Sequence, residues 1–164
     1  MMTEQRSTLP KGHPATALLS WFYSGFSPFA PGTCGSLCAL PFAWVIVSQG
    51  GKWALLFASC FIFFLGWLLC RWALTQLNEE DPQIIVIDEV AGQWLTLVIV
   101  PIDPLWYCVA FVLFRVFDIY KPWPVSFIDR NIKNAFGIML DDIAAGIYAL
   151  IGIRILYFLI GQPS

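Results

Sequence analysis

The feature that most constrains this chain is a series of long apolar runs with few charges inside them. In residues 53–73 the only charged residue is Arg71, and about 20 apolar helical residues are enough to span the hydrocarbon core of a bilayer. Of the 164 residues, 59% are hydrophobic and 12% are charged, whereas about 25% of a soluble domain is charged. The chain is therefore predicted to lie in a membrane, and its net charge of −2 does not favour a nucleic-acid partner.

Four other apolar runs complete the predicted architecture, which is an all-α, polytopic bundle of four to five membrane helices plus an N-terminal interfacial helix. They cover residues 37–48, 84–100, 105–120 and 143–160. The first is short for a span, so it is either a helix that begins inside the preceding loop or a re-entrant element. A single domain is predicted over residues 15–160, after a retained polar tail at residues 1–14.

The interfacial helix is predicted over residues 15–30, where Ser, Gly and Pro interrupt the apolar pattern. Its aromatic cluster of Trp21, Phe22 and Tyr23 is typical of side chains at the headgroup level. The segment that follows, residues 27–36, reads S-P-F-A-P-G-T-C-G-S, and its Pro and Gly residues predict a loop.

The distribution of Lys and Arg predicts the topology. With the N-terminus in the cytoplasm, that face of the membrane would carry seven basic residues and the opposite face two at most. The seven are Arg6, Lys11, Arg71, Arg115, Lys121, Arg130 and Lys133, and the two are Lys52 and Arg154. Five crossings would leave the C-terminus outside, and four would return it to the cytoplasm.

Five carboxylates from three separate helix ends are predicted to meet at the cytoplasmic face. They are Asp88, Glu89, Asp118, Asp141 and Asp142. Any one of them alone could have a purely structural role: Arg115 could pair with Asp118 at i, i+3, and the others could solvate helix ends or complement helix N-terminal dipoles. For the whole set this interpretation fails, because at most two basic groups are near enough in sequence to neutralise five acids. Ionisable groups at membrane depth usually mark a functional path or pair with one another.

A divalent cation would explain the set, since closely spaced carboxylates repel one another without one. Oxygen ligands without His or Cys select a hard ion, and Mg²⁺ typically binds a few carboxylates, waters and phosphate oxygens. A magnesium site is therefore predicted. Gly92 and Gly146 lie near the acids and could let helix backbones approach within reach of one ion, although simple helix packing would explain them as well.

A turn that contains Thr33, Gly35 and Ser36 offers backbone N–H groups and two hydroxyls at the start of a helix, a pattern that can bind an anion. Lys121 and Arg130, with Lys133 nearby, add cations to this face. Anchoring to anionic lipid would explain these cations equally, and they could do both.

The sequence lacks several catalytic motifs, and their absence narrows the possible mechanisms. The five cysteines form no C-x-x-C pair and are predicted to be packing residues. No cysteine has an arginine six residues on, the only histidine is His13, and there is no D-x-D pair. For a phosphate hydrolase, a metal-activated water is the mechanism that remains.

Three segments together resemble phosphatidylglycerophosphatase A, a family of bacterial membrane lipid phosphatases. They are S-P-F-A-P-G-T-C-G-S from Ser27, I-D-E-V-A-G-Q from Ile87, and R-V-F-D-I-Y-K-P-W-P from Arg115 continuing to G-I-M-L-D-D-I-A-A-G from Gly137. The likeness extends over residues 25–148 and keeps the order and spacing of the motifs. Family members often carry a glycine pair before the last segment, whereas this chain has Asn134 and Ala135.

The resemblance implies Mg²⁺-dependent removal of the terminal phosphate from phosphatidylglycerophosphate at the cytoplasmic face of the bacterial inner membrane. The five carboxylates would be the metal-binding and catalytic residues, and the Thr33–Ser36 turn, Lys121 and Arg130 would hold the remaining phosphate oxygens. The partners implied are this phospholipid substrate and the membrane.

Alternatives remain open at this point. A Mg²⁺-dependent head-group transferase would carry a D-G-x-x-A-R type signature, which is missing. A small cation channel or transporter would distribute its acids through the depth of the bilayer. Another lipid-phosphate phosphatase would share the whole acidic set, and a structural subunit would not need it.

Overall fold

A computed structural model describes residues 9–77 and 82–161. Within these ranges the chain is helical and contains no strand, which confirms the all-α prediction. The helices are α1 (Pro14–Leu19), α2 (Pro31–Leu74), α3 (Ile87–Leu97), α4 (Pro104–Tyr120), α5 (Val125–Asn131) and α6 (Ala135–Ile160), with a 3-10 turn at Ser24–Phe26. Arg6 and most of the predicted polar tail lie outside the described residues, as do residues 78–81 and 162–164.

The long helix α2 is a helical hairpin. At Gly51 the backbone takes φ 71° and ψ −175°, and positive φ is a region that glycine adopts readily. Before this break, Gly32 contacts the start of α3 and Ala39 its second half. After the break the order reverses, since Ser59 contacts the middle of α3 and Gly66 its start. The predicted runs 37–48 and 53–73 are therefore two antiparallel helices joined at Gly51.

The first of these two helices begins at Pro31, so the predicted loop over residues 27–36 is wrong in its second half. Proline is favoured at the first helical position, because its missing N–H would be unpaired there and its φ is already helical. The N–H of Cys34 donates to the carbonyl of Ala30 at 3.1 Å and closes the first turn. The run 37–48 thus belongs to a helix that begins inside the loop, the first of the two alternatives.

Helix α3 lies at the centre of the bundle, between α2 and α6. Nine of its 11 residues are buried. At 1.5 Å per residue it is only about 16 Å long, so the predicted helix over residues 84–100 is too long at both ends. Residues 84–86 are not helical, because Val86 N–H donates to the carbonyl of Leu19 at 2.9 Å. The chain leaves the helix again before Pro101.

The N-terminal segment corrects the predicted interfacial helix over residues 15–30. Helix α1 ends at Leu19, and Trp21, Phe22 and Tyr23 follow in the left-handed region with φ of 43°, 55° and 69°. This reversal buries Trp21, whose ring meets the ring of Trp94 edge-on at 5.5 Å. Phe22 and Tyr23 remain exposed. Of the three aromatic residues, Trp21 is therefore a core residue and not a headgroup-level aromatic.

Residues 121–142, predicted to be a polar stretch, contain α5 and the first turns of α6. The side chain of Asn134 accepts hydrogen bonds from the N–H groups of Phe136 and Gly137 at 2.9 and 3.1 Å, and asparagine is among the preferred N-cap residues. Helix α6 therefore begins eight residues before the predicted run 143–160. Asp141 and Asp142 lie in its second turn, not ahead of it.

The outer surface of the bundle is apolar. Large exposed side chains include Phe57, Phe61 and Phe64 on α2 and Ile151 and Phe158 on α6, and extended apolar surfaces mark membrane or partner contacts. Among the described residues, α2 and α6 are the helices that are long and apolar enough to cross a membrane. Since only these two helices among the described residues meet that condition, the four to five predicted crossings stay a prediction.

The cysteines only partly follow the prediction that they pack inside the protein. Cys70 is buried and Cys34 is half-buried. Cys38, Cys60 and Cys108 are exposed on the apolar outer surface, so their side chains contribute little to the core.

Candidate active site

A pocket of about 320 Å³ opens at the end of the bundle where α2 and α3 begin. The N-terminus of α2 lines it with uncharged residues. The charged side chains come from four other parts of the chain: α3, the end of α4, the α5 region and the start of α6. The acidic lining residues are Asp88, Glu89, Asp118, Asp129, Asp141 and Asp142, and the basic ones are Arg115, Lys121 and Lys133. The structure thus brings all five predicted carboxylates together, and among the described residues six acids face three bases.

Asp88, Glu89 and Asp142 form the tightest group of acids, which we call the carboxylate trio. One oxygen of each lies within 4.8 Å of the others. Asp88 and Asp142 are only 7% and 3% exposed, and no basic group in the described part of the chain pairs with either. Buried carboxylates at such short range repel one another unless a cation or a shared proton compensates.

Arg115 neutralises the acid next to the trio. Its Nη1 pairs with Asp118 Oδ2 one helical turn away and lies 3.9 Å from Glu89 Oε1. The same atom donates to Ser36 Oγ at 3.4 Å. Arg115 therefore connects α4 with α2 and α3, and it fixes Asp118 beside the trio.

Lys121 is the shared cation of two other acids of the pocket and balances one of their two charges. Its Nζ lies 2.7 Å from both Asp129 Oδ1 and Asp141 Oδ2. Burial lowers the pKa of Lys121, but attraction to Asp141 and Asp129 outweighs it and holds the pKa above its usual value. The residue ends α4 in the left-handed region, with φ 46°, where glycine is the usual choice. That conformation aims the lysine side chain into the pocket.

The first turn of α2 forms the pocket wall beside Glu89. A Cβ atom on Gly32 would overlap Glu89 Oε1, so the absence of a side chain lets the carboxylate reach the helix N-terminus. One turn further, a Cβ atom on Gly35 would lie 2.7 Å from the Cβ of Val86. The N-terminus of a helix carries a partial positive charge that favours a nearby carboxylate.

The closest approach of α3 to α6 lies directly below the trio. A Cβ atom on Gly92 would lie 2.5 Å from the carbonyl oxygen of Asp142, and one on Gly146 would lie 2.7 Å from the carbonyl oxygen of Gly92. Thr96 Oγ1 donates to the carbonyls of Gly92 and Gly146 at 3.0 and 3.3 Å. This glycine contact sets the separation of the two helices, and hence the distance from Asp88 and Glu89 to Asp142.

The residues predicted to bind phosphate occupy different places. Lys121 lines the pocket, whereas Thr33 and the exposed Arg130 do not. Gly35 and Ser36 lie behind the pocket wall, where Ser36 Oγ donates to the carbonyl of Gly32 at 2.8 Å. At the N-terminus of α2, it is Gly32 that lines the pocket.

Three charged lining residues were not among the predicted site residues: Arg115, Asp129 and Lys133. Arg115 had a usable signal, because an arginine inside an apolar helix is itself an ionisable group at membrane depth. Lys133 was named among the cations of this face but not among the site residues. Asp129 had no signal, since it follows a turn whose path the helical period does not predict.

The trio fits an oxygen-preferring divalent cation. Glu89 Oε2 is buried and has no hydrogen-bond partner among the described residues, which leaves it open to a ligand. Asp88 Oδ1 accepts from the N–H of Glu89 at 3.0 Å, which orients that carboxylate. Three carboxylates without sulfur or imidazole select a hard ion, and Mg²⁺ is the hard ion typical of phosphate chemistry.

An apolar helical bundle with ionisable groups gathered in one pocket at its end is typical of a membrane-associated protein with a functional site for a charged ligand or ion. Comparison with known proteins gives the family. The family profile described as phosphatidylglycerophosphatase A matches residues 17–157, and the chain belongs to this family of phosphoric monoester hydrolases. The resemblance carried by the three sequence segments is confirmed.

Three curated relatives show how much of the chain is shared. The phosphatidylglycerophosphatase A of Escherichia coli K12 is 38% identical over 159 residues, which cover 94% of this chain and 88% of the relative. The phosphatidylglycerophosphatase A of Haemophilus influenzae Rd is 38% identical, covering 85% and 86%. A Bacteroides thetaiotaomicron protein described as a candidate phosphatidylinositol-3-phosphatase is 39% identical, covering 85% and 91%. No solved structure matches the chain.

Proposed function

We propose that the protein removes the terminal phosphate of phosphatidylglycerophosphate with the help of Mg²⁺ and so forms phosphatidylglycerol and inorganic phosphate. The observation that carries the proposal is the carboxylate trio, which has the ligand atoms of a hard cation and too few basic partners. The relatives from E. coli and H. influenzae are named for this activity. The apolar surface around the bundle fits a lipid substrate.

Asp88, Glu89 and Asp142 would hold the ion, which when bound polarises the phosphate and lowers the pKa of a water molecule. Asp118 and Asp141 complete the acidic set, but each is already paired with a cation. These two carboxylates shape the charge around the trio. Because the uncatalysed hydrolysis of phosphate monoesters is among the slowest reactions known, charge stabilisation must supply most of the barrier reduction.

Arg115, Lys121 and the first turn of α2 would face the phosphate oxygens that the ion does not bind. Both side chains line the pocket, and Gly32 brings backbone N–H groups of a helix N-terminus to the same wall. Ser36 acts through Arg115, because its hydroxyl accepts a hydrogen bond from the guanidinium group. Its role is to position the arginine.

We further propose that the pocket opens on the cytoplasmic side of a bacterial inner membrane. The pocket end of the bundle carries most basic residues of the described chain, whereas Lys52 lies at the hairpin turn near the opposite end. An excess of Lys and Arg marks the cytoplasmic side. Since α2 reverses at Gly51, its two halves would be separate crossings.

The test is phosphate release by purified protein in detergent micelles that contain phosphatidylglycerophosphate. Release is expected with Mg²⁺, loss with excess chelator, and recovery when Mg²⁺ is added back. An equal amount of Ca²⁺ serves as a control for charge alone, because Ca²⁺ prefers more ligands at longer distances. Release that persists after complete removal of divalent ions would contradict the metal-dependent mechanism.

A second substrate class is favoured by one observation, the relative described as a candidate phosphatidylinositol-3-phosphatase. Phosphatidylinositol 3-phosphate and phosphatidic acid in the same micelles would show whether other lipid monoesters are cleaved. The cation-channel alternative is disfavoured by placement. Of the acidic residues in the described ranges, only Asp103 lies away from the pocket, and its side chain caps α4 by accepting from Trp106 N–H at 3.0 Å.

A further inference from the structure

Among the three basic side chains that line the pocket, Lys133 alone has no carboxylate partner in the described part of the chain. Arg115 is paired with Asp118, and Lys121 with Asp129 and Asp141. Lys133 lines the pocket and is exposed, so this residue borders both the pocket and the surrounding surface. A cation that is not committed to an internal acid is available to an anionic group of a ligand.

The backbone that carries Lys133 is anchored on both sides. Before it, the N–H of Ile132 donates to the carbonyl of Ile128 at 2.9 Å, and a Cβ atom on Gly137 would overlap the carbonyl oxygen of Ile132. After it, Asn134 caps α6 through two hydrogen bonds. The backbone therefore holds Lys133 at the exposed edge of the pocket, which we call its mouth.

The mouth of the pocket is also apolar on its outside. Ile119 lines the pocket and is 69% exposed, and Trp123 and Phe127, which follow it in the chain, are 75% and 54% exposed. Tyr148 Oη donates to the carbonyl of Trp123 at 2.7 Å and holds this segment against α6. Exposed aromatic rings beside a charged pocket are typical of the membrane interface. Lys133 therefore lies between the deep acidic site and the lipid surface.

We infer that Lys133 forms a second anion subsite, which binds the phosphodiester group of the lipid substrate while the terminal phosphate monoester is held at the trio. The inference rests on the proposed function, because it assumes a headgroup with a monoester at its tip and a diester nearer the acyl chains. The depths of the two sites match the order of the two phosphate groups in such a lipid. Asp88 and Asp142 of the trio are buried, whereas Lys133 is exposed at the mouth of the pocket. The subsite would favour a lipid with two phosphate groups over a lipid with a monoester alone.

The experiment measures competition in mixed micelles with phosphatidylglycerophosphate as substrate. Phosphatidylglycerol, which carries only the diester, and phosphatidic acid, which carries only the monoester, are each added as inhibitors. For Lys133→Gln we expect KM for the substrate and Ki for phosphatidylglycerol to rise about 5-fold, the upper end of what an ion pair that reaches solvent contributes. The Ki for phosphatidic acid and kcat should stay within about 2-fold of wild type, because the trio is intact.

Two further variants keep the test decisive. Lys133→Arg keeps the charge and is expected to keep wild-type constants. Lys11→Gln removes the same charge from another exposed position outside the pocket lining, so it reports general attraction of anionic micelles. An equal rise of both Ki values, no change in either, or the same effect in Lys11→Gln would overturn the inference. Failure of the proposed function would differ, since wild-type protein would then release no phosphate from phosphatidylglycerophosphate.

Discussion

Two groups of carboxylates share the pocket, and they differ in their partners. Asp118, Asp129 and Asp141 are each paired with Arg115 or Lys121. In the carboxylate trio, by contrast, Glu89 has only a distant contact of 3.9 Å with Arg115, and the other two acids pair with no base among the described residues. Burial overlaps between the groups, since the side chains of Asp118 and Glu89 are 12% and 14% exposed, although Asp129 reaches solvent with 27%. Pairing with a base therefore separates the two groups more clearly than depth does.

This difference assigns separate work to the two groups. The paired acids, three carboxylates on two cations, are largely neutralised within the protein and fix the positions of Arg115 and Lys121. The trio keeps its charge available for an external cation, which is why it is the better candidate for the metal. Removing a trio member should abolish the site, whereas removing a paired acid should only shift its charge and geometry.

The largest effect is expected for Asp142→Asn. Asparagine keeps the shape but removes the charge, and we expect kcat to fall at least about 100-fold, comparable to the loss of one oxyanion-hole donor. Binding of Mn²⁺, followed by electron paramagnetic resonance as a probe for Mg²⁺, should weaken in parallel. Asp103→Asn is the matched control, because both residues are good N-caps and Asp103 caps α4 far from the pocket. Near-wild-type activity of Asp142→Asn would remove Asp142 from the site.

A smaller effect is expected for Gly92→Ala, which leaves every charge in place. Its new methyl group would meet the carbonyl oxygen of Asp142 at 2.5 Å and the ring of Phe114 at 2.7 Å. Overpacking typically costs about 1–3 kcal/mol, and a shift near 1 Å at a catalytic group can cost about 100-fold in rate. We expect kcat to fall about 10- to 100-fold and the unfolding midpoint in detergent to fall with it.

Gly152→Ala is the control for that variant. It makes the same change in α6, but its methyl group would meet nothing closer than 3.6 Å, which is ordinary contact. Activity within about 2-fold of wild type is expected. If the two alanine variants behaved alike, the separation of α3 and α6 would not be what sets the geometry of the trio.

How far the sequence predicts the site can be judged from these same residues. The five acids were found because charge inside apolar runs is costly and therefore informative. The glycines were harder to interpret: Gly32 and Gly35 indicated a loop that cradles an anion, but they lie in a helix. They allow α3 to approach, which is the usual role of small residues between membrane helices. Pro31 was also interpreted as part of the loop, although proline is favoured at the first position of a helix as well as in loops.

The parts that the sequence did not predict depend on contacts between distant segments. Trp21 resembles an interfacial aromatic, yet three consecutive left-handed residues turn it into the core. The pairing of Lys121 with Asp129 spans the turn between α4 and α5, where no helical period applies. The start of α6 at Ala135 depends on the Asn134 cap, which the apolar run from residue 143 does not indicate.

A still smaller effect is expected for Lys121→Met, which breaks the paired group without touching the trio. The side chain keeps its length, but Asp129 and Asp141 lose their common cation. Two uncompensated charges at the pocket should repel the phosphate, and we expect KM to rise about 10-fold, the scale of hydrogen bonds to a charged group. Lys121→Arg should recover part of the loss. A fall in Mn²⁺ affinity as large as that of Asp142→Asn would place Lys121 with the trio instead.

The smallest effect is expected for Asp129→Asn, and the sharpest comparison is with Asp141→Asn. Both acids lie 2.7 Å from the same lysine nitrogen, but their side chains are 27% and 11% exposed. Pairs that reach solvent contribute little, about 0–1 kcal/mol, so kcat/KM of Asp129→Asn should stay within about 3-fold of wild type. Asp141 is deeper than Asp129, and Asp142 N–H also donates to its Oδ1 at 3.1 Å.

For Asp141→Asn we therefore expect kcat/KM to fall about 10-fold, since truncating one partner of a buried charged pair leaves the other charge unpaired. Equal losses in the two variants would mean that the lysine, and not the depth of its partner, is what the pocket requires.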